Sequence, residues 1–143
     1  MKHQTELVRF IQFFETVSPD NVGELVGLYS NDAYFKDPFN EVRGQAAILA
    51  IFEHMFNQVQ NPRFKISRRI LQDDDAFIVW EFHFLMKDKH QTPECIHGST
   101  HLRFAADNKV EYHRDYWDAA EELYEKIPLL GSLMRFVKKR AKA

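Results

Sequence analysis

The chain has 143 residues, 19 Lys and Arg against 21 Asp and Glu for a formal charge of −2, one cysteine and 13 Phe. That length suffices for one domain with a real core and no disulfide or metal staple. The near-neutral balance argues against general nucleic-acid binding, which needs a strongly basic face, and the single Cys95 excludes an internal disulfide or a cluster of several thiolates. No stretch approaches the roughly 20 apolar residues that span a bilayer. Glu6 and Arg9 interrupt the N-terminal apolar run as a signal peptide would not, so a cytoplasmic setting is expected. The Phe excess has two readings, a filled core or the lining of a cavity for an apolar ligand.

Leu7, Phe10, Ile11, Phe14 and Val17 recur at helical spacing and predict a first amphipathic helix from about 4 to 17. Ser18-Pro19-Asp20 reads as an N-cap with proline at the first helical position, opening a second helix with Val22, Leu25, Val26 and Tyr29 on its buried stripe. Ala33 to Lys36 reads as a short strand, which Asp37-Pro38 ends because proline forces the preceding residue out of the α region. Arg43-Gly44 opens a third helix with Ile48, Phe52, Met55, Phe56 and Val59 inward, and Asn61-Pro62 stops it.

The period then changes to about 2. Four strands are predicted at Arg63 to Leu71, Ala76 to Met86, Cys95 to Phe104 and Lys109 to Trp117, joined by polar turns of hairpin length. Helices followed by an antiparallel meander give an α+β domain, a curved sheet with helices on one face. Beyond Asp118 a basic amphipathic helix is expected. Leu129, Leu130, Leu133, Met134 and Val137 form one side, and Arg135, Lys138, Lys139 and Lys142 the other.

The run Leu28-Tyr29-Ser30-Asn31-Asp32-Ala33-Tyr34-Phe35-Lys36-Asp37-Pro38-Phe39 with Arg43-Gly44, then Leu102-Arg103-Phe104, Lys109-Val110 and Tyr116-Trp117-Asp118, resembles the nuclear transport factor 2-like superfamily over roughly residues 5 to 118. That superfamily includes ketosteroid isomerases, SnoaL-like polyketide cyclases and limonene epoxide hydrolases. The resemblance implies a cone-shaped barrel with a strongly curved mixed or antiparallel sheet, and N-terminal helices packed on its concave face. The domain would span 1–120, with 121–143 as an amphipathic basic helical extension. It also implies a homodimer formed through sheet faces. The fold hosts enzymes, binders and adaptors alike, so function rests on the site.

Asp37 matches the general base of the isomerases, a role that needs a carboxylate raised in pKa by an apolar cavity; its alternative is a turn cap before Pro38. The rest of the isomerase site does not carry over. Phe13 stands at the position of the oxyanion-hole tyrosine and Thr100 at that of the protonated aspartic acid, so classical steroid isomerase activity is not expected. On the last strand, counting by two from Trp117 puts Asp115, His113 and Glu111 on one face and Tyr116, Arg114, Tyr112 and Val110 on the other. The resemblance turns the Trp117 face into the cavity. His113 and Asp115 then form either an acid–base pair, of the kind the SnoaL-like cyclases use, or a structural hydrogen-bonded pair.

The expected ligand is a small, largely apolar molecule, with Phe13, Tyr34, Phe35, Trp80, Thr100 and Trp117 around it and isomerase, cyclase or hydratase chemistry as the enzymatic possibility. A non-catalytic dimeric binding or assembly module with a filled pocket is the other. No cofactor is implied. No metal is expected either: His97 and His101 lie roughly 13 Å apart along a strand, too far to share an ion. With Arg103 they read as a polar outer sheet face or a dimer contact, Glu81 and His83 belong to the same outer layer, and Cys95 reads as an ordinary strand residue. His3, His54 and His90 sit in no motif, and His3 is expected to be exposed. For the segment Leu129 to Lys142 two readings stand, packing on its own domain or a partner subunit, and weak reversible docking on a membrane surface.

Overall fold

The computed structural model describes residues 2–122 and 128–142, with side chains from 135 onward in the second stretch. Helix α1 (Gln4–Glu15) buries Leu7, Phe10, Ile11 and Phe14, the stripe its spacing predicts. The second helix is instead a short 3-10 segment, Val22–Leu28. Its two glycines, Gly23 and Gly27, disfavour an α-helix, and Asn21 Oδ1 accepts a 2.7 Å hydrogen bond from the Ser18 N–H at the preceding turn. Tyr29 lies beyond it as the first residue of β1 (Tyr29–Lys36), and its side chain is fully buried.

A three-residue strand, β2 (Glu41–Arg43), which the sequence did not signal, pairs antiparallel with β1. Gly44 then caps α2 (Gln45–Gln58) at φ 103°, a conformation that favours glycine, and donates 2.8 Å to the Ala33 carbonyl. Helix α2 ends before Asn61-Pro62. Those residues lie inside β3 (Val59–Gln72), where the register slips between Gln60 and Arg63. Proline is tolerated there because β3 is an edge strand at a bulge.

Strands β4 (Asp75–Met86), β5 (Pro93–Phe104) and β6 (Val110–Tyr116) complete the sheet. The spatial order is β2-β1-β6-β5-β4-β3, so the sheet is open and not a closed barrel. It is mixed: β3 to β6 form an antiparallel meander, and β1 runs parallel to β6. Both main helices pack on one face over a core that includes Phe10, Phe14, Phe35, Phe52, Trp80, Phe84 and Phe104. Six of the 13 Phe are among these rings, so much of the aromatic excess serves as core. His3 is also inside, 4% exposed, stacked on Phe104 at 5.0 Å and 2.8 Å from the Asp74 carboxylate, contrary to its expected exposure.

A short helix, α3 (Ala119–Glu122), leads towards α4 (Pro128–Ala141). The cationic positions Arg135, Lys138, Lys139 and Lys142 are exposed, as are Phe136 and Val137. The apolar side chains expected at Leu129, Leu130, Leu133 and Met134 lie outside the described residues. Among the described residues no helix is long and apolar enough to cross a membrane.

Candidate functional site

The parallel pairing of β1 with β6 places Phe35 opposite His113 and Lys36 opposite Arg114. On the other side of β6, Thr100 of β5 stands opposite Asp115 and Leu102 opposite His113. One irregularity resets the alternation of β6. The register slips between Arg103 and Phe104, which pair with Tyr112 and Val110, and Glu111 is the extra residue. Val110 is thus buried, and Glu111 is exposed and bonded to Arg103 at 3.2 Å, the reverse of the face that counting by two assigns them. His113 and Asp115, beyond the bulge, do face inward.

There they join a continuous chain of hydrogen bonds. The Trp80 indole N–H donates 2.8 Å to Thr100 Oγ1, and the Thr100 hydroxyl donates 2.6 Å to Asp115 Oδ1. His113 Nε2 lies 2.8 Å from the same Asp115 oxygen, and His113 Nδ1 lies 2.8 Å from the Tyr29 hydroxyl. The polarity of the chain follows from the capacity of its members. Indole only donates, so Thr100 accepts from Trp80 and turns its proton to Asp115. The carboxylate only accepts, so His113 carries its proton on Nε2 and receives the Tyr29 proton at Nδ1. An imidazolium would leave the buried Tyr29 hydroxyl proton without an acceptor. Tyr29 is held neutral: burial pushes its pKa well above the ordinary phenol value, and the Asp115 charge adds to this.

Gly98 makes the indole's position possible. It lies opposite Trp80 across the β4–β5 ladder, and a Cβ there would stand 2.5 Å from the indole ring carbons. The ring crosses β5 through the space that the missing side chain leaves.

His113 is only 4% exposed. The rings of Phe35, Phe10 and Tyr29 stand 4.6, 6.0 and 6.0 Å from the imidazole. Asp115, the middle member of the chain, is the one that reaches solvent. Its Oδ1 takes both hydrogen bonds, and it lines an open groove of about 590 Å³ with Lys36, Asp37, Pro38, Arg114, Tyr116, Trp117 and Asp118. The groove thus reaches Asp115 and not the imidazole behind it.

Asp37 lines the same groove as the cap of its turn. Its Oδ1 accepts from the backbone N–H groups of Phe39 at 2.8 Å and Asn40 at 2.7 Å, and from the Asn40 side chain at 3.1 Å. The turn reading and the pocket position therefore coincide in one residue. Trp117 is half-buried at the groove, its ring edge-on to Phe39 at 5.7 Å. Phe35, Trp80 and Thr100 lie in the layer beneath.

Phe13 packs on Phe14 at 5.1 Å and is not a groove residue. Tyr34 is on the opposite face of β1, stacked on Tyr112 at 5.2 Å and donating 2.6 Å to Glu41. It lines a separate groove of about 420 Å³ with Asp32, Arg43, Arg103, Glu111 and Tyr112. The residues that sequence reasoning missed are Tyr29, Lys36 and Arg114. The first falls at the end of a helical stripe in the sequence, and the other two become neighbours only through the parallel β1–β6 pairing.

The sequence profile of the SnoaL-like domain matches residues 10–113. No curated protein matches the chain in sequence. Among solved structures, the chain is similar to a hypothetical protein with a ketosteroid isomerase-like fold from Catenulispora acidiphila, in complex with trimethylamine. The TM-score is 0.72 at 16% identity, over 84% of this chain and 90% of that one. It is similar to a candidate SnoaL-like polyketide cyclase from Shewanella putrefaciens, with TM-score 0.69 at 17% identity over 90% and 87% of the two chains. A candidate hydroxylase, AclR, from Streptomyces galilaeus aligns with TM-score 0.68 at 14% identity over 92% and 96%. Identities this low carry the fold alone, while the profile covers most of the chain. With the nuclear transport factor 2-like architecture described above, the match shows that the chain belongs to the SnoaL-like domain family.

Proposed function

We propose that the chain binds a small molecule in the groove over Asp115 and that Asp115 exchanges protons with it. The observation that carries this reading is the buried chain from Trp80 and Thr100 through Asp115 to His113 and Tyr29, whose central carboxylate meets the groove. A carboxylate fixed by two charge-assisted hydrogen bonds is pre-positioned as a base and loses little in orientation when a substrate arrives. His113 then acts behind it, holding Asp115 through Nε2–H and itself held by Tyr29.

The groove defines the ligand more closely than the aromatic count does. Pro38 and Trp117 offer an apolar wall beside the Asp115 carboxylate, and Lys36 and Arg114 stand at the rim, the Arg114 guanidinium over the Tyr116 ring at 4.9 Å. That combination suits a molecule with an apolar body and a carbonyl or carboxylate. A proton taken from the carbon beside a carbonyl by Asp115 Oδ2 leaves an enolate and a protonated Asp115. The proton returns from Asp115 to a second carbon or oxygen, which is isomerase- or cyclase-type chemistry without a cofactor. The trimethylamine in the Catenulispora structure agrees with small-molecule binding in this fold.

A second reading, a binding module without turnover, is favoured by the enclosure of His113 and by the full engagement of Asp37 Oδ1 in its turn. The two separate with an enolisable aromatic β-keto ester as probe. Proton transfer predicts α-deuterium exchange in D2O faster with the protein than in buffer, and a loss of about 10²–10⁴-fold in Asp115→Asn. Quenching of Trp117 fluorescence with exchange at the buffer rate supports the binding module instead.

The proposal assigns this site to residues 1–120 of a cytoplasmic protein. It includes a homodimer, supported by Phe77 and Val79 exposed on the outer sheet face, and weak lipid-surface contact by 121–143, supported by Phe136 and Val137 exposed among the cations of α4.

A further inference from the structure

On the sheet face opposite the groove, the β4–β5 ladder sets Glu81 opposite His97 and His83 opposite Cys95. Residues two apart on a strand share a face, and directly opposed residues are its nearest neighbours. The four side chains therefore occupy the corners of one square. A thiol, an imidazole and a carboxylate converge there, and the His97 imidazole stands beside the thiol. One ligand atom each of Glu81, His83 and Cys95 lies within 4.8 Å of the other two. His83 Nε2 is 2.9 Å from Glu81 Oε1 and 3.9 Å from Cys95 Sγ, and His97 Nε2 is also 3.9 Å from Cys95 Sγ.

We propose that Glu81, His83, Cys95 and His97 form a site for one thiophilic divalent cation of the Zn²⁺ type. A zinc ion holds thiolate sulfur at roughly 2.3 Å and imidazole nitrogen at roughly 2.0 Å, so at a tetrahedral angle the two donors stand about 3.5 Å apart. Both sulfur–nitrogen separations here exceed that by only a few tenths of an ångström. The mixed donor set of thiolate, imidazole and carboxylate suits Zn²⁺ and excludes the all-oxygen preference of Ca²⁺ and Mg²⁺. As the Sγ–metal bond forms, the Cys95 thiol proton leaves to solvent.

A second observation points the same way. His97 presents Nε2 to the sulfur while its Nδ1 faces Glu122 Oε1 at 3.4 Å. A carboxylate on the far nitrogen fixes the tautomer that leaves the near nitrogen free to bind a metal, the arrangement that metal-bound histidines usually show. Glu122 belongs to α3, so the ion would also tie the segment after β6 to the outer face of the sheet. Glu122 is a positioning residue here and not a ligand. Reading His97 against His101, four residues apart on one strand, misses this set because its members lie across two strands and β4 supplies half of it.

The test uses the full chain without an affinity tag, stripped of metal and titrated with Co²⁺ and then Zn²⁺. Expected are one ion per chain and a sulfur-to-cobalt charge-transfer band that Zn²⁺ displaces. Cys95→Ser removes the band, and both Cys95→Ser and His83→Ala weaken binding by at least about tenfold. Glu122→Gln weakens it by about 10–100-fold while keeping the band. His101→Ala, which is held by Asp75 away from the square, leaves affinity unchanged. All these positions are at least partly exposed, and circular dichroism checks that each variant folds. Absence of stoichiometric binding overturns the proposal. So does half an ion per chain, or binding in Cys95→Ser and His83→Ala equal to wild type.

Discussion

His113 and Asp115, two residues apart on β6, meet side chain to side chain at 2.8 Å, with Thr100 completing the contact at 2.6 Å from the same carboxylate oxygen. Their backbones stand roughly 7 Å apart along the strand. The convergence therefore needs the β5 neighbour and the rings above His113 to hold both side chains in place. This is why the pair is more than a local i, i+2 contact, and why its energetics depend on residues far away in the chain.

Tyr29→Phe deletes the one donor to His113 Nδ1 in a site closed to water. A buried acceptor left without its partner costs about 1–3 kcal/mol, measurable as a lower urea midpoint at neutral pH. The same variant changes the alkaline limb. Tyr29 has its pKa raised in the folded state, so its contribution is fully present below the unfolded value of about 10 and is lost as pH rises towards the folded one. Wild type should lose stability faster than Tyr29→Phe between pH 9 and 11, with Tyr34, also raised through its hydrogen bond to Glu41, contributing to both. Equal slopes would mean that Tyr29 is not a neutral member of the network.

Gly98→Ala pushes a methyl into the indole that donates to Thr100. Overpacking of this kind costs about 1–3 kcal/mol, and the displaced Trp80 should report it as a shifted fluorescence maximum. Gly23→Ala and Gly27→Ala meet nothing within 4 Å and are expected to be neutral or stabilising by under about 1 kcal/mol. If all three glycines behaved alike, the crossing of Trp80 over β5 would be wrong.

The acid limb belongs in part to Asp74, whose carboxyl is held below its ordinary pKa by hydrogen bonds from His3 and then Lys2. A lowered folded value stabilises above the unfolded pKa of about 3.9 and is lost as pH falls through the folded one. The stability gap between wild type and Asp74→Asn should therefore narrow from pH 6 to pH 3. It should also shrink with added salt, because Lys2 is two-thirds exposed. A gap constant with pH would assign Asp74 a purely steric role.

Asp37 separates into a turn role and a chemical one. Asn keeps the Oδ1 acceptor that Phe39 and Asn40 use, so Asp37→Asn should unfold within about 0.5 kcal/mol of wild type. Asp37→Ala loses both backbone bonds and should cost about 1–2 kcal/mol. Equal losses in the two variants would show that the charge, and not the turn, is what the fold uses.

The alternation of Trp80, Phe82 and Phe84 on β4 and the helical stripe of α1 were legible because each depends on local periodicity. So was the order of elements that the family resemblance used. Tyr29 was not legible, since nothing local distinguishes the last turn of a helix from the first residue of a strand that pairs with β6 some 80 positions later. The face of Val110 and Glu111 was lost to a bulge, which has no signature in a period-2 count. Asp115, His113, Thr100 and Trp80 were each singled out in the sequence, yet their connection is a property of strand register. The outer square of Glu81, His83, Cys95 and His97 was hidden for the same reason.

Asp115 and Asp37 both face the groove, and one comparison decides between them. α-Deuterium exchange into the β-keto ester probe is followed for Asp115→Asn and Asp37→Asn beside wild type. Proton transfer by the network predicts a fall of about 10²–10⁴-fold in Asp115→Asn and a rate within a few-fold of wild type in Asp37→Asn. The reverse pattern, full exchange in Asp115→Asn and loss in Asp37→Asn, would contradict the assignment of Asp115 as the base.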